Sequence, residues 1–257
     1  MRRLPHLTLA LLLPGASLLS SAQAGELLHF HYPDSGAPPY LYVTPGADKP
    51  TGIVVDVLET AARTAHRTVR YEFQPRENAS AALRLGHANG ALFFSATRPP
   101  AKDNLVSIAL LRMESVLVTT KDKTINYRRP TELADRRLCT LTEEIYPPLS
   151  LLAMSGKLLQ RKAKTEQAQL MMLRNEDCVA AIVNGPMYRW LAARYRWDDL
   201  RIESQPLLSE ELVLGFAADE QSFLDVLNKT VTRLRKNGEL GRIVQRHLPG
   251  AENLTTR

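Results

Sequence analysis

The sequence contains few cysteines and few aromatic residues, and beyond its first part it has no long hydrophobic run. Two cysteines occur in 257 residues, and aromatic residues make up 6% of them. After Leu19 no stretch approaches the ~20 consecutive apolar residues of a membrane-spanning helix. The chain also lacks a nucleophile-elbow glycine pattern, a zinc-ligand spacing and a phosphate-binding glycine loop. We therefore expect a soluble protein without a metal ion or cofactor.

Positive charge is spread along the chain. The formal net charge of +6 falls to +4 without Arg2 and Arg3, which lie in an unusual amino-terminal segment. The other basic residues form only small clusters, at 128–129, 136–137 and 161–164. No basic stripe interleaved with aromatic residues accompanies them, so we expect no nucleic-acid partner.

The first 24 residues have the composition of a secretory signal peptide. Arg2 and Arg3 precede an apolar run from Leu7 to Leu19, and Ala22-Gln23-Ala24 matches a small-x-small cleavage site. We expect cleavage near Ala24 and a mature chain in the periplasm. No cysteine directly follows the cleavage site, so we do not expect a lipid anchor.

The two cysteines, Cys139 and Cys178, lie in the second half of the chain. The oxidising compartment that a signal peptide implies favours a disulfide between them, because an unpaired thiol is a liability in an exported protein. The alternative is two buried thiols that pack as small hydrophobic side chains.

Strand and helix patterns alternate in the first half. Asp56 has the position of a helix N-cap, because its carboxylate can accept a bond from a free amide of the first turn, and Glu59 follows at capping-box spacing. Strand, helix, strand, helix, strand at this spacing predicts right-handed βαβ units and a parallel sheet. The predicted elements are strands at 27–32, 69–73 and 91–95, a helix from Asp56 and a helix at 77–85.

The pattern restarts after Lys121. Strands are predicted at 138–141, near Ala163 and at 178–183, with a helix capped by Thr165 and another at 187–195. In the last quarter a strand-like run at 211–217 and a helix after it return the chain to the first half. We therefore predict an α/β protein with two lobes and a ligand cleft between them. Lobe 1 comprises residues 25–117 and 213–257, and lobe 2 comprises residues 118–212.

Six short segments follow one another in a characteristic order along the mature chain. They are Pro38-Pro39-Tyr40, residues 51–56 (TGIVVD), residues 83–86 (LRLG), the loop at Thr97, Glu132-Leu133 and residues 234–240 (LRKNGEL). Together they resemble the family 3 solute-binding proteins, the amino-acid type of periplasmic binding protein. The resemblance implies the type II periplasmic-binding-protein fold, in which two lobes with parallel-rich sheets are joined by two crossing hinge strands.

The same resemblance suggests partners and a placement for the cysteines. It implies a small solute as ligand and an ABC permease or a membrane sensor as partner, and we expect a monomer. In this fold the first strand of a lobe lies beside its third. The resemblance therefore places Cys139 and Cys178 on neighbouring strands of the second lobe.

Two departures from the family pattern bear on the ligand. In relatives a threonine is commonly followed three residues later by an arginine that binds the ligand's α-carboxylate, whereas Pro100 stands three residues after Thr97. Asn184 stands where many relatives place an acid that binds the ligand's ammonium group. Both halves of the amino-acid site are altered, so we expect a small polar solute that is not a standard α-amino acid.

Five residues of the first lobe are candidate ligand contacts. Ser95, Thr97 and Arg98 follow a predicted strand, where open α/β sheets bind ligands. Arg98 either holds a carboxylate or phosphate through two N–H groups or is a solvated surface residue. Tyr40 either stacks on a ligand at the cleft mouth or packs against its neighbours. Asp56 lines the cleft or serves only as a cap.

Three residues of the second lobe are candidates as well. Thr142 and Glu143 follow a predicted strand, and a helix beginning there would offer free amides to an anion. Glu143 would oppose an anion, so it is alternatively a residue that complements the helix dipole. Asn184 closes the strand at 178–183, either facing the ligand or serving as a turn residue before Gly185.

The sequence leaves three functions open, of which we favour the first. It is a binding protein that closes two lobes over a small polar solute. The second is a periplasmic lyase resembling cyclohexadienyl dehydratase on the same fold, with Glu143 as an acid or base. The third is an accessory or sensor subunit without a small ligand, which acts through protein contacts.

Overall fold

The computed structural model of the protein describes residues 26–33 and 36–248, so the predicted signal peptide and its cleavage site lie outside the described residues. Within them, nine strands form one curled sheet. The strands are β1 (Leu27–Pro33), β2 (Thr68–Gln74), β3 (Gly90–Phe94), β4 (Leu105–Val106), β5 (Leu111–Thr120), β6 (Arg137–Leu141), β7 (Leu159–Ala163), β8 (Ala180–Asn184) and β9 (Leu200–Phe216).

Helices pack against this sheet in both halves of the molecule. In the described part of the chain they are α1 (Ile53–Thr64), α2 (Ala79–Arg84), α3 (Ser150–Met154), α4 (Glu166–Arg174), α5 (Gly185–Tyr195), α6 (Gln221–Lys236) and α7 (Glu239–His247). Short 3₁₀ turns span Arg76–Asn78, Pro130–Leu133 and Pro147–Leu149. Each of these helices is too short or too polar to span a bilayer.

The strand order confirms the predicted two-lobed fold. The order is β2-β1-β3-β9-β5-β8-β6-β7, with β4 beside β9. In lobe 1, β1 pairs in parallel with β2 and β3, and in lobe 2, β6 pairs in parallel with β7 and β8. The long strands β5 and β9 pair with each other in antiparallel fashion between the lobes. They are the two crossing strands that the resemblance implied.

Each lobe packs its own hydrophobic core. In lobe 1, α1, α6 and α7 bury Leu58, Leu227 and Val244 against the sheet. In lobe 2, neighbouring residues of β6 belong to different clusters, Cys139 to one and Leu138 to the other. Successive strand residues point to opposite faces, so the lobe 2 sheet is covered on both sides.

The disulfide Cys139–Cys178 forms, which decides against two buried free thiols. Cys139 lies in β6, and Cys178 lies two residues before β8, the strand that pairs with β6. The predicted strand thus begins later than expected, at Ala180. The bridge joins β6 to the segment that leads into β8, across a sequence separation of 39 residues.

The predicted role of Asp56 as a helix N-cap is wrong. Helix α1 begins three residues earlier, after Gly52, whose φ of +136° favours glycine. A Cβ at position 52 would lie 2.3 Å from the Tyr40 carbonyl oxygen, so this close approach also requires glycine. The Asp56 carboxylate instead bonds to Arg246 and His247, at 2.8 and 2.9 Å, and ties α7 to α1.

Two possible helix starts in lobe 2 have different outcomes. The helix that an anion site at Thr142 would require does not form, because residues 142–143 form a turn and the next helical element is the 3₁₀ turn at 147–149. The cap at Thr165 is confirmed, since its hydroxyl accepts a bond from the Ala168 amide at 3.1 Å. Thr165 therefore fixes the start of α4, and Glu166 is the first residue of that helix.

Candidate functional site

A small cavity lies between the two lobes. Its volume is about 10 Å³, which is room for about one water molecule. It adjoins the carboxyl ends of β3, β6 and β8, the edge at which α/β sheets bind ligands. Its polar lining consists of Thr97, Ser115, Glu144, Tyr146, Glu166, Asn184 and Glu210.

Glu210 is the acceptor at the centre of the crossing strands. Its side chain is buried on β9, and its carboxylate accepts hydrogen bonds from the hydroxyls of Thr97, at 2.9 Å, and Ser115. Ser115 lies on β5, and Thr97 lies in the loop after β3. The carboxylate therefore joins both crossing strands to the ligand-side loop of lobe 1.

Direct hydrogen bonds connect the lobes. The Ile145 amide donates to the Thr97 carbonyl at 2.8 Å. The Tyr40 hydroxyl donates to Asn184 Oδ1, also at 2.8 Å. Tyr40 is fully buried and its ring contacts Phe94, which agrees with the alternative that it packs against its neighbours. Burial, and then the charge of Glu210, hold the pKa of the Tyr40 hydroxyl well above its ordinary value, so it remains a donor.

Three buried charged residues pair across the cleft, and we call Arg76, Glu144 and Glu166 the inter-lobe ion cluster. Arg76 follows β2 of lobe 1, and its Nη1 donates to Glu144 at 3.3 Å. Its Nη2 donates to both carboxylate oxygens of Glu166, at 3.1 and 3.3 Å. Burial lowers the pKa of Arg76, but the charges of Glu166 and Glu144 more than reverse this effect. Its pKa is therefore raised, and the guanidinium stays protonated.

Glu144 titrates near neutrality within this cluster. Burial raises the pKa of its carboxyl group to about 7, against the opposing effect of Arg76 and with a further rise from Glu166. A group with this pKa exchanges a proton near pH 7, as a general acid or base requires. Protonation of Glu144 also removes one negative charge from the cluster.

Arg98 borders the ion cluster without lining the inter-lobe cavity. Its Nη2 donates to the Leu92 carbonyl at 3.1 Å. Its guanidinium carbon lies 5.9 and 5.8 Å from the ring centroids of Phe93 and Phe94. Burial, and then the charge of Arg76, lower the pKa of Arg98 to about 10, so it stays charged at neutral pH. It is therefore a buried cation and not a solvated surface residue.

The structure brings only some of the predicted contacts to the cavity. Thr97 and Asn184 line it, and Tyr40 contacts Asn184. Asn184 also caps α5, because its side-chain oxygen accepts from the Met187 amide at 3.3 Å. The functional and structural interpretations of Asn184 are thus compatible.

Four other predicted contacts lie away from the cavity lining. The Ser95 hydroxyl accepts from the Glu211 amide, and the Thr142 hydroxyl donates to the Ala163 carbonyl. Glu143 is exposed and has φ +65°, so the turn directs Glu144 inward in its place. The Asp56 carboxylate accepts a hydrogen bond from Arg246 of α7. Among residues 26–33 and 36–248, no three potential metal ligands cluster.

A larger cavity of about 350 Å³ opens beside the ion cluster. Glu166 lines both cavities, so they are neighbours. Tyr42 and Phe73 of lobe 1 face Trp190 and Tyr195 of α5 across it, and the rings of Tyr42 and Trp190 are 5.0 Å apart. Its volume falls in the range of small-molecule sites, and aromatic walls are typical of such sites.

Sequence reasoning missed six polar residues of the site: Arg76, Glu144, Glu166, Glu210, Ser115 and Tyr146. The first three follow the carboxyl ends of β2, β6 and β7. The rule that selected Thr97, applied to every strand, would have found them. Glu210 lies within β9, and its sequence neighbourhood gives no comparable signal.

Solved structures share this fold at low sequence identity. The substrate-binding protein of an amino acid ABC transporter is 18% identical, with 86% of this chain and 98% of that chain covered and a TM-score of 0.70. A histidine kinase sensor domain with similarity to periplasmic binding proteins is 15% identical, with coverage of 88% and 97% and a TM-score of 0.76. An amino acid ABC transporter substrate-binding protein from Streptococcus pneumoniae, bound to L-arginine, is 16% identical, with coverage of 87% and 94% and a TM-score of 0.72. These likenesses establish the fold alone.

Sequence comparison supplies the family. No curated protein matches the chain. The model of the bacterial extracellular solute-binding proteins, family 3, matches residues 32–250, which include both lobes and the crossing strands. The chain therefore belongs to the bacterial extracellular solute-binding proteins, family 3.

Proposed function

We propose that this chain is a periplasmic receptor that captures a small polar solute between its lobes and presents it to an ABC permease or a membrane sensor. The observation that carries the proposal is the convergence of charged and polar side chains from both lobes on one cavity. Thr97 comes from lobe 1, and Glu144 and Glu166 come from lobe 2. Arg76 of lobe 1 bonds to both of these carboxylates from outside the cavity lining. A solute held by both lobes couples binding to hinge closure.

Solute entry requires the lobes to separate. The cavity of about 10 Å³ is too small for any solute larger than a water molecule, and the ion cluster fills the space around it. We propose that the incoming solute displaces Arg76 from at least one of its carboxylates. The neighbouring cavity of about 350 Å³ gives the solute aromatic contacts on the way in.

The solute we propose is not a standard α-amino acid. Pro100 supplies no charge at the position of the usual carboxylate-binding arginine. Asn184 is neutral, and its oxygen is already engaged by Tyr40 and Met187. Arg98 could replace the missing arginine only by turning its guanidinium from the Leu92 carbonyl toward the cavity.

Thermal-shift screening of small polar metabolites tests the proposal, with small-angle scattering on each hit. A true ligand raises the unfolding midpoint of the wild-type protein. Thr97→Val removes one cavity hydroxyl and is expected to weaken the response, whereas Thr119→Val changes a buried threonine remote from the cavity lining and should not. The absence of any stabilising solute across a broad library would contradict the receptor function.

A lyase is the second candidate, and one observation favours it. Glu144 is buried in the cleft with a pKa of about 7, which suits an acid or base catalyst at neutral pH. Glu144 takes the role that the sequence had assigned to Glu143. Incubation with prephenate or arogenate should then yield the aromatic product, and Glu144→Gln should abolish it. No turnover by the wild-type protein would remove this candidate.

The proposal also covers the cleavage site, the oligomeric state and the lobe boundaries. We propose that the signal peptide is cleaved near Ala24 and that the mature protein acts as a monomer. We also propose lobe boundaries at residues 25–117 with 213–257 and at residues 118–212, because both boundaries fall within the crossing strands β5 and β9. Mass spectrometry of periplasmic protein tests the cleavage site, and native mass spectrometry tests the monomer.

A further inference from the structure

The inter-lobe cavity and its larger neighbour are lined by acidic but not by basic side chains. In the described part of the chain, the charged residues that line the inter-lobe cavity are Glu144, Glu166 and Glu210. Glu166 is also the charged residue in the lining of the larger cavity. Arg76 reaches the carboxylates of Glu144 and Glu166 from outside both linings. A solute that enters the cleft therefore meets negatively charged walls.

Carboxylates outnumber guanidinium groups around the inter-lobe cavity. Arg76 bonds to Glu144 and Glu166, and the buried Arg98 interacts electrostatically with these two carboxylates and with Glu210. With every group ionised, three negative charges are opposed by two positive charges. One further cation would balance the cleft, whereas an anion would add to the excess of negative charge.

Aromatic side chains wall the larger cavity, and two of them are unusually exposed. Phe73 and Tyr195 are the most exposed aromatic residues in the described part of the chain, at 50% and 44%, and both line this space. Tyr42 and Trp190 complete the walls, and we call the space the aromatic cavity. Aromatic faces attract a cation that lies within about 6 Å of the ring centroid. Aromatic walls beside the buried carboxylate of Glu166 suit an organic cation.

We propose that the solute is a small organic cation without a carboxylate, whose guanidinium group binds Glu166 and whose uncharged tail lies in the aromatic cavity. This inference rests on the proposed receptor function and names the class of its solute. Glu166 already binds a guanidinium, because Nη2 of Arg76 donates to both of its carboxylate oxygens. A planar cation from the solute takes that place in the same two-oxygen geometry, while Arg76 keeps its bond to Glu144.

A carboxylate on the solute would have no free cationic partner in the two linings. Arg76 remains paired with Glu144, and Arg98 lines neither the inter-lobe cavity nor the aromatic cavity. The carboxylate of a zwitterion would instead lie beside Glu144 or Glu210. The lining therefore favours a cation over an amino acid of the same size.

Thermal unfolding of the wild-type protein with three probes of similar size tests the proposal. The probes are butylguanidinium, its neutral isostere butylurea and the anion pentanoate, each measured at the same ionic strength. At a concentration of about ten times its Kd, butylguanidinium should raise the midpoint by about 4 °C. Butylurea and pentanoate should leave the midpoint unchanged.

Two variants locate the binding group. Glu166→Gln should lose the response to butylguanidinium. Glu211→Gln makes the same chemical change at a 40% exposed side chain that lines neither cavity, so it should keep the response. The comparison of butylguanidinium with butylurea needs only the wild type, so it remains decisive if Glu166→Gln does not fold.

The results that overturn this inference differ from those that overturn the receptor function. Equal midpoint shifts with butylguanidinium and butylurea, or a shift with pentanoate alone, would refute the cation and leave the receptor function standing. A metabolite hit that carries a carboxylate or lacks a positive charge would do the same. The absence of any stabilising solute, among the probes and in the wider screen, would contradict both.

Discussion

The two lobes present opposite charges to the cleft between them. Lobe 1 contributes the guanidinium of Arg76, and lobe 2 contributes the carboxylates of Glu144 and Glu166. All three side chains are more than nine-tenths buried. A cleft built in this way closes on its own side chains, so a solute has to compete with contacts that the protein already makes. The strength of those contacts sets how readily the lobes separate.

Arg76 and Arg98 extend the comparison within lobe 1. Both are buried to a similar degree, but Arg76 has two carboxylate partners from lobe 2 and Arg98 has only the Leu92 carbonyl and two aromatic faces. Their pKa values shift in opposite directions. The pKa of Arg76 rises because Glu166 and Glu144 outweigh its burial, and that of Arg98 falls to about 10 because of burial and then the charge of Arg76. Burial alone therefore does not define the role of an arginine here; its partners do.

Arg76→Met should have the largest effect, because it removes the cation from lobe 1 and leaves two buried carboxylates unpaired. Loss of one partner of a buried ion pair costs about 3–5 kcal/mol. Urea denaturation measures the change in the free energy of unfolding. Arg112→Met is the matched control, because its pair with Glu211 is exposed and should contribute less than about 1 kcal/mol. Similar losses in both variants would mean that the ion cluster does not hold the lobes.

Removal of the disulfide should destabilise lobe 2 and leave the stability of lobe 1 unchanged. The double variant Cys139→Ala, Cys178→Ala frees a loop closed over a separation of 39 residues and should cost about 4 kcal/mol. Hydrogen exchange should show the loss of protection in β6 and β8 of lobe 2, while α6 of lobe 1 stays protected. Equal losses in both lobes would indicate that they unfold as one cooperative unit.

A rise in pH should lower the free energy of unfolding through Glu144, because ionising this buried carboxyl group costs free energy. The pKa of Glu144 is raised from 4.5 to about 7 in the folded protein, so the folded state binds the proton more tightly than the unfolded state. The stabilising contribution is full below pH 4.5 and is lost as the pH rises through 7. Between pH 5 and 8 the free energy of unfolding should fall by about 2 kcal/mol through this group. Glu144→Gln should remove this part of the pH dependence, and an unchanged profile in that variant would assign it to other groups.

The smallest effect concerns the helix that carries Glu166. Thr165→Ala removes the hydroxyl that caps α4 and should cost about 1 kcal/mol, whereas Thr165→Ser keeps a hydroxyl and should cost less. Urea denaturation of the two variants measures the difference. If the serine variant loses as much as the alanine variant, packing of the threonine methyl group and not capping explains the loss.

The elements were predictable from sequence because each carries a local signal. Alternation at 69–73, the hydroxyl at Thr165 and the apolar face of α6 all follow from strand pairing, capping and helical periodicity. The start of α1 was not predictable from the local sequence. It depends on Gly52 lying against the Tyr40 carbonyl, which is a contact between two segments of the chain. Local capping rules gave Asp56 the wrong role for that reason.

The site was only partly predictable, because strand ends show where ligands bind but not which side chain turns inward. Thr97 was found by that rule, and Arg76 and Glu166 obey it too. Glu143 and Glu144 are adjacent acids, and the sequence does not show which of them faces the cavity. The positive φ of Glu143 turns the chain so that Glu144 does. Glu210 faces the cavity only because β9 crosses between the lobes, which is a property of the assembled sheet.

Small-angle scattering of the solute-free protein tests the central claim most directly, namely that the lobes close on their own charged side chains. The chain is unfolded, freed of small molecules and refolded before measurement, and the wild type is compared with Arg76→Met and Arg112→Met. We predict a compact wild type and a compact Arg112→Met, with a larger radius of gyration for Arg76→Met. A solute-free wild type as expanded as Arg76→Met would contradict the account.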